Sequence, residues 1–165
     1  MKEELATLAG GCFWGIEAIL QKVHGVICTQ VGYTGGHVPD PTYPLVKKGD
    51  SGHAEAVQVT FDPDQISYKE LLHMFFRLHD PTTLNRQGHD VGTQYRSAIF
   101  YHSEGQRDIA KQVKEEIDKL GTWSRPLVTE IVSFEQFFPA EEYHQKYLQK
   151  NPGGYTCHYL REEKK

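Results

Sequence analysis

The sequence predicts an α+β fold of two layers, on three observations. Short apolar runs fit strands, and the stretches between several of them carry apolar residues at helical spacing. The first six elements come in the order strand, helix, strand, strand, helix, strand, the split βαβ or ferredoxin-like arrangement. No repeat, low-complexity tract or linker divides the 165 residues, so 1–165 is expected to be a single domain. Extra helices and an irregular, flexible C-terminal tail from about 151 to 165 complete the expected fold.

The elements follow in order. "LATLA" (5–9) reads as a short buried strand running into Gly10 and Gly11. Phe13, Ile16, Ile19 and Leu20 then recur at helical spacing toward Gly25. "VICTQVGY" is the second strand and leads into the glycine-rich loop "GYTGGHVPDPTY"; "HAEAVQVTF" is the third strand. "SYKELLHMFFRLHD" is a helix opened by a capping-box pair, Ser67 and Glu70. After the loop "DPTTLNRQGHDVGTQY" comes a fourth strand, "RSAIFYH". A polar helix spans about 103–120, with Gly121 as its stop signal. "LVTEIVSF" is a fifth strand, "AEEYHQKYLQK" a last helix, and "NPGGYTCHYLREEKK" the tail.

Composition narrows the function. The chain is 38% hydrophobic and 24% charged with a net charge of −4, an ordinary globular profile with no basic stripe for nucleic acid. No apolar run approaches the roughly 20 residues of a membrane span, and "MKEELATLAGG" does not read as an export signal. A reducing cytoplasm is the expected location. Three cysteines, Cys12, Cys28 and Cys157, form neither a CxxC pair nor a disulfide scaffold. In a reducing compartment such cysteines point to catalysis or metal binding.

The split βαβ topology sends four segments to one rim of the sheet: the Cys12 turn, the "GYTGG…TY" loop, the start of "HAEAV", and "GHDVGTQY". Cys12 stands between a strand and a helix N-terminus, where free N–H groups favour a thiolate. The alternative is a small buried core cysteine. Glu55 alternates with Val57, Val59 and Phe61, which aims it at the core. There it is either a desolvated proton donor or a strand-end carboxylate reaching water. His53 shares that face, as a rival acid or base or as a satisfied core histidine. Tyr43 and Tyr95 stand as phenolic donors or packing residues, and Asp90 as a site acid or a turn former. Cys157 sits among glycines that allow reach, which suggests a resolving thiol rather than an incidental one. Cys28, within an apolar strand, is expected to be structural.

Seven pieces, "GGCFWG", "GYTGG", "PTY", "GHAEAV", "GHDVGTQYRS", "HQKYL" and "NPGGYTC", resemble the A-type peptide methionine sulfoxide reductases, in order over nearly the whole chain. The resemblance implies that Cys12 attacks the sulfoxide sulfur of the S epimer. It implies that Glu55, Tyr43 and Tyr95 handle the oxygen, that Phe13 and Trp14 hold the methyl group, and that Asp90 is the site aspartate. It further implies a Cys12 sulfenic acid resolved by Cys157 and a disulfide recycled by thioredoxin, with no cofactor and no metal. The enzyme is expected to act as a monomer on free or protein-bound methionine sulfoxide, repairing oxidative damage. The tail carries one cysteine where some relatives carry two, and Lys47 stands where many have a cysteine.

Two other readings compete. A cysteine hydrolase would use Cys12 with His53 and Asp90. A metal-binding module would use Cys157, His158 and others of the nine histidines.

Overall fold

The computed structural model describes residues 3–161. Its elements are β1 (Glu4–Gly10), α1 (Phe13–Leu20), β2 (Val26–Thr34), α2 (Tyr43–Lys47), β3 (Ala54–Phe61) and α3 (Tyr68–Leu78). A two-stranded ribbon follows, β4 (Arg86–Gln87) and β5 (Asp90–Val91), then a 3-10 turn at Thr93–Tyr95. The chain continues with β6 (Ser97–Tyr101), α4 (Glu104–Leu120), β7 (Glu130–Ser133), β8 (Phe137–Pro139) and α5 (Tyr147–Lys150).

The main sheet has the order β7-β6-β1-β3-β2-β8. Its inner four strands, β6-β1-β3-β2, are antiparallel throughout, as the split βαβ arrangement requires. β7 adds to β6 in parallel, and β8 adds antiparallel to the outer edge of β2. Alternation on β3 divides the interior. Val57, Val59 and Phe61 join the main core with Leu8, Val31, Ile16, Leu71, Leu72 and Phe75. Ala54 and Ala56 turn to the other face, where Ala9, Ala98 and Phe100 form a thinner cluster.

The helices start and stop where local chemistry dictates. Ser67 Oγ accepts from Glu70 N at 3.0 Å while Glu70 Oε1 accepts from Ser67 N at 3.3 Å, closing the capping box. Leu71, Leu72 and Phe75 of α3 are fully buried, each worth about 1.5–3 kcal/mol against exposure. α4 ends at Gly121, whose φ of 68° is the left-handed cap expected there.

Four local expectations are corrected. "AEEYHQKYLQK" is not one helix: a 3-10 turn at Glu142–His144 is followed by Lys146 at φ 54° and only then by α5. Tertiary bonds outcompete the helix. Gln145 accepts from Val31 N and donates to Val31 O, both at 2.9 Å, and Lys146 N donates to Glu17 Oε1 at 2.7 Å. The first helix stops at Leu20 rather than running toward Gly25. The glycine loop contains the short α2, begun by Pro44 after Tyr43. Cys28 is exposed rather than structural, because a register shift between Val26 and Cys28 turns it outward.

Candidate active site

The glycines of "GGCFWG" are explained by what surrounds them. A Cβ at Gly10 would collide with the ring of His79, and one at Gly11 with Gln87. A Cβ at Gly15 would overlap His158 and Thr156. Gly11 also has φ 103°, a conformation that L side chains rarely adopt. The Cys12 turn therefore sits close between two buried histidines. His79 Nδ1 donates to Phe75 O at 2.8 Å, its Nε2 accepts from Ser97 Oγ at 2.7 Å, and His158 Nε2 donates to Gly10 O at 2.7 Å. Burial pushes His79 down to about 3 and His158 down to about 4.

Cys12 is the residue from which α1 departs, and 9% of its surface is exposed. Burial pushes its thiol well above the ordinary range, and the nearby Glu55 and Asp90 add to this. The Trp14 backbone N–H works the other way without prevailing. The expected thiolate at a helix end is thus corrected: desolvation outweighs the dipole of a helix only eight residues long.

Glu55 lies 1% exposed on β3, on the core face that alternation assigns to it. Its Oε1 accepts from Phe13 N at 3.2 Å. Burial pushes the carboxyl up to about 8, a rise that this hydrogen bond only partly offsets and to which Asp90 adds. The group is therefore mostly protonated at neutral pH, and with Oε1 committed as an acceptor, Oε2 carries the proton. Tyr43 is pushed up to about 12 by burial, with Glu55 and Cys12 adding to the rise. Tyr95 is raised above the usual phenol range by burial, then by Glu55 and Tyr43. Both phenols hold their protons and can donate. Asp90, on β5, is raised by burial and accepts from Tyr155 Oη at 3.1 Å.

The topology thus brings Cys12, Glu55, Tyr43, Tyr95 and Asp90 to one rim. Phe13 is fully buried and packs on Tyr33, 5.7 Å between ring centroids. Trp14 is partly buried, with Tyr147 edge-on at 3.8 Å. Cys157 lies 3.9 Å through Sγ from Gln87 O, its thiol raised by burial. His53 is committed elsewhere: Nδ1 accepts from Gly36 N at 3.1 Å and Nε2 donates to Val38 O at 2.6 Å. It is the satisfied core histidine, and the hydrolase reading loses its base.

Two residues of this site were not found from sequence. Glu141 Oε2 accepts from Tyr43 N at 2.9 Å and its Oε1 from Tyr33 Oη at 2.8 Å, fixing the start of α2. His144 Nδ1 accepts from Trp14 Nε1 at 2.9 Å, with its ring 4.5 Å from that of Tyr43. The available signal was the indole itself, since a partly buried Trp N–H wants an acceptor.

Comparison with known proteins identifies the family. The family model "Peptide methionine sulfoxide reductase" matches residues 4–165. The chain is 55% identical over 162 residues to the peptide methionine sulfoxide reductase MsrA of Methanosarcina acetivorans, covering 98% of this chain and 85% of that relative. Mxr1 from Saccharomyces cerevisiae in reduced form superposes with a TM-score of 0.93 at 44% identity, covering 98% of this chain and 93% of the other. Mxr1 has also been solved in complex with Trx2, with a TM-score of 0.67 at 31% identity over 98% and 91% of the chains. A family match over nearly the whole length, with more than half of the residues shared with such a relative, settles the lineage: the chain belongs to the A-type peptide methionine sulfoxide reductases and is an oxidoreductase.

Proposed function

We propose that this protein, as one catalytic domain, reduces the S epimer of methionine sulfoxide, free or in proteins, through a sulfenic acid on Cys12. Cys157 then closes a Cys12–Cys157 disulfide, which thioredoxin reduces. The observation that carries the reading is the buried Glu55 carboxyl, its Oε1 accepting at 3.2 Å from the N–H of Phe13, the residue after Cys12. A methyl sulfoxide presents a methyl group, a polar S=O, and a sulfur that turns electrophilic once its oxygen is protonated. Glu55 gives a proton to that oxygen while Tyr43 and Tyr95 donate hydrogen bonds to it, and Phe13 and Trp14 surround the methyl group. Asp90 stands beside them as the site aspartate, accepting from Tyr155 Oη.

Cys12 gives up its proton as the substrate sulfur becomes positive and attacks that sulfur. Its sulfur takes the oxygen, so the substrate is reduced by two electrons and Cys12 is oxidised to the sulfenic acid. The thiol proton replaces the one that Glu55 gave. Support for thioredoxin comes from the yeast relative solved with Trx2. We place the protein in the cytoplasm as a monomer, using its own thiols and no other cofactor. Among the described residues no helix is long and apolar enough to cross a membrane.

The test is incubation of racemic methionine sulfoxide with the protein and dithiothreitol, with the remaining epimers resolved. Loss of the S epimer alone is expected, and equal consumption of both would overturn the reading. A Cys157→Ser variant is expected to form about one equivalent of methionine and then stall with thioredoxin as sole reductant.

A further inference from the structure

The tail around Cys157 has no regular structure, yet it is tied down at three places. Tyr155 Oη donates to Asp90 Oδ2 at 3.1 Å. His158 Nε2 donates to Gly10 O at 2.7 Å. Arg161 N donates to Arg77 O at 2.9 Å, and Arg77 Nε returns a bond to Arg161 O at 2.6 Å. Cys157 lies between the first two ties. The middle tie reaches the backbone two residues before Cys12, and the imidazole making it is 7% exposed. A socket exists for that ring only because Gly11 and Gly15 lack side chains.

The Gly10 carbonyl can only accept, so Nε2 carries the hydrogen and Nδ1 keeps a bare lone pair. That lone pair lies 3.9 Å from Cys157 Sγ. The His158 backbone N–H in turn donates to Thr156 Oγ1 at 3.1 Å, folding residues 156–158 around the cysteine.

Resting on the assignment of Cys157 as the resolving thiol, we propose that His158 is a positioning residue for the disulfide-forming step, its socketed imidazole holding the Cys157 sulfur at the Cys12 turn. In that step the Cys157 sulfur attacks the Cys12 sulfenic sulfur. The S–S bond forms, the S–O bond breaks, and the oxygen leaves as water with the thiol proton. The substrate-reducing step precedes this and does not involve the Cys157 thiol.

His158 works by aim rather than basicity. Burial holds the ring neutral, with an affinity for protons too low to keep one taken from a buried thiol. Tying the tail keeps the thiol at high effective concentration, which is where an intramolecular step gains its rate.

The experiment measures both steps separately, by rapid quench for methionine and by dimedone trapping for the sulfenic acid. It compares wild type, His158→Phe, His158→Asn, His158→Gln and Cys157→Ser, with folding checked by thermal melting. In the Phe and Asn variants methionine formation is expected to stay within about twofold, while sulfenic acid decay slows about tenfold or more. Gln is expected to recover decay to within about threefold, because its amide nitrogen reaches the place of Nε2 and that of Asn does not. Decay at the wild-type rate in the Phe and Asn variants would overturn the proposal. So would an equal slowing of both steps, the mark of general structural damage. Should Phe not fold, the Gln and Asn pair decides alone. Cys157→Ser separates the underlying assignment: if its sulfenic acid decays as fast as wild type, Cys157 is not the resolving thiol, whatever His158 does.

Discussion

Two glutamates, Glu17 and Glu55, are each 1% exposed, and each accepts a backbone N–H from a distant part of the chain. They differ in how fully they are met. Glu17, on α1, accepts from Lys146 N at 2.7 Å and from Thr29 Oγ1 at 2.8 Å, and has the Lys146 ammonium at 3.5 Å. Glu55 has the Phe13 N–H alone, at 3.2 Å. A carboxylate with several donors and a cation is a structural tie. One with a single donor in a dry site keeps its proton, and that proton is what a sulfoxide oxygen needs. Donor count, not burial, separates the two roles.

The largest expected effect breaks the Glu55 side of this contrast. Glu55→Gln keeps the shape and a hydrogen-bond donor but cannot deliver a proton. Single-turnover methionine formation at neutral pH is expected to fall about 10²–10⁴-fold, with the fold intact. A loss of only a few-fold would remove Glu55 as the acid. On the other side, Glu17→Ala strips partners from Thr29 and from both nitrogens of Lys146. A loss of about 2–4 kcal/mol in urea unfolding is expected, below the full cost of breaking a buried pair because the ammonium reaches water. The chemical step should suffer far less than in Glu55→Gln, and the reverse pattern would dissolve the contrast.

A smaller effect lies in pH. Burial pushes the folded Glu55 carboxyl up to about 8, against an ordinary 4.5. The folded state therefore binds the extra proton between these values. The stability it lends is full below about 4.5 and is lost as pH rises toward 8. Glu55→Gln has no such dependence, so unfolding curves at pH 5 and pH 8 should show the gap shifting in favour of the variant. The shift is bounded by about 1.4 kcal/mol per pH unit. Parallel curves would mean that Glu55 is ionised in the folded protein.

The reasons some of this was legible in sequence are physical. Period-two alternation on β3 aimed Glu55 into the core, and the strand-helix order of the first six elements placed four segments at one rim. Both are local patterns that tertiary contacts reinforce. What was not legible depends on contacts far apart in the chain. Residues 140–150 have a helical pattern, but Gln145 and Lys146 are held by β2 and Glu17, more than a hundred residues away. Cys28 reads as buried until a bulge turns it outward. The Cys12 turn shows a helix N-terminus in sequence, whereas the desolvation that outweighs it is a property of the packed molecule.

The smallest prediction asks which part of Lys146 the Glu17 tie uses. Its backbone N–H lies at 2.7 Å, while its ammonium is 3.5 Å from the carboxylate on a side chain that is 40% exposed. A half-solvated ammonium contributes little, because water competes for it and ordering the long side chain costs entropy. The backbone bond instead requires φ 54° at this residue, a conformation that the rest of the segment must enforce. Lys146→Met keeps the N–H and removes the charge, so its stability is expected to fall by only about 0.5 kcal/mol, with methionine formation unchanged within about twofold. A loss as large as that of Glu17→Ala would show that the ammonium, not the backbone, anchors this segment. Glu17 would then be one half of a buried ion pair rather than a hydrogen-bond acceptor for the chain.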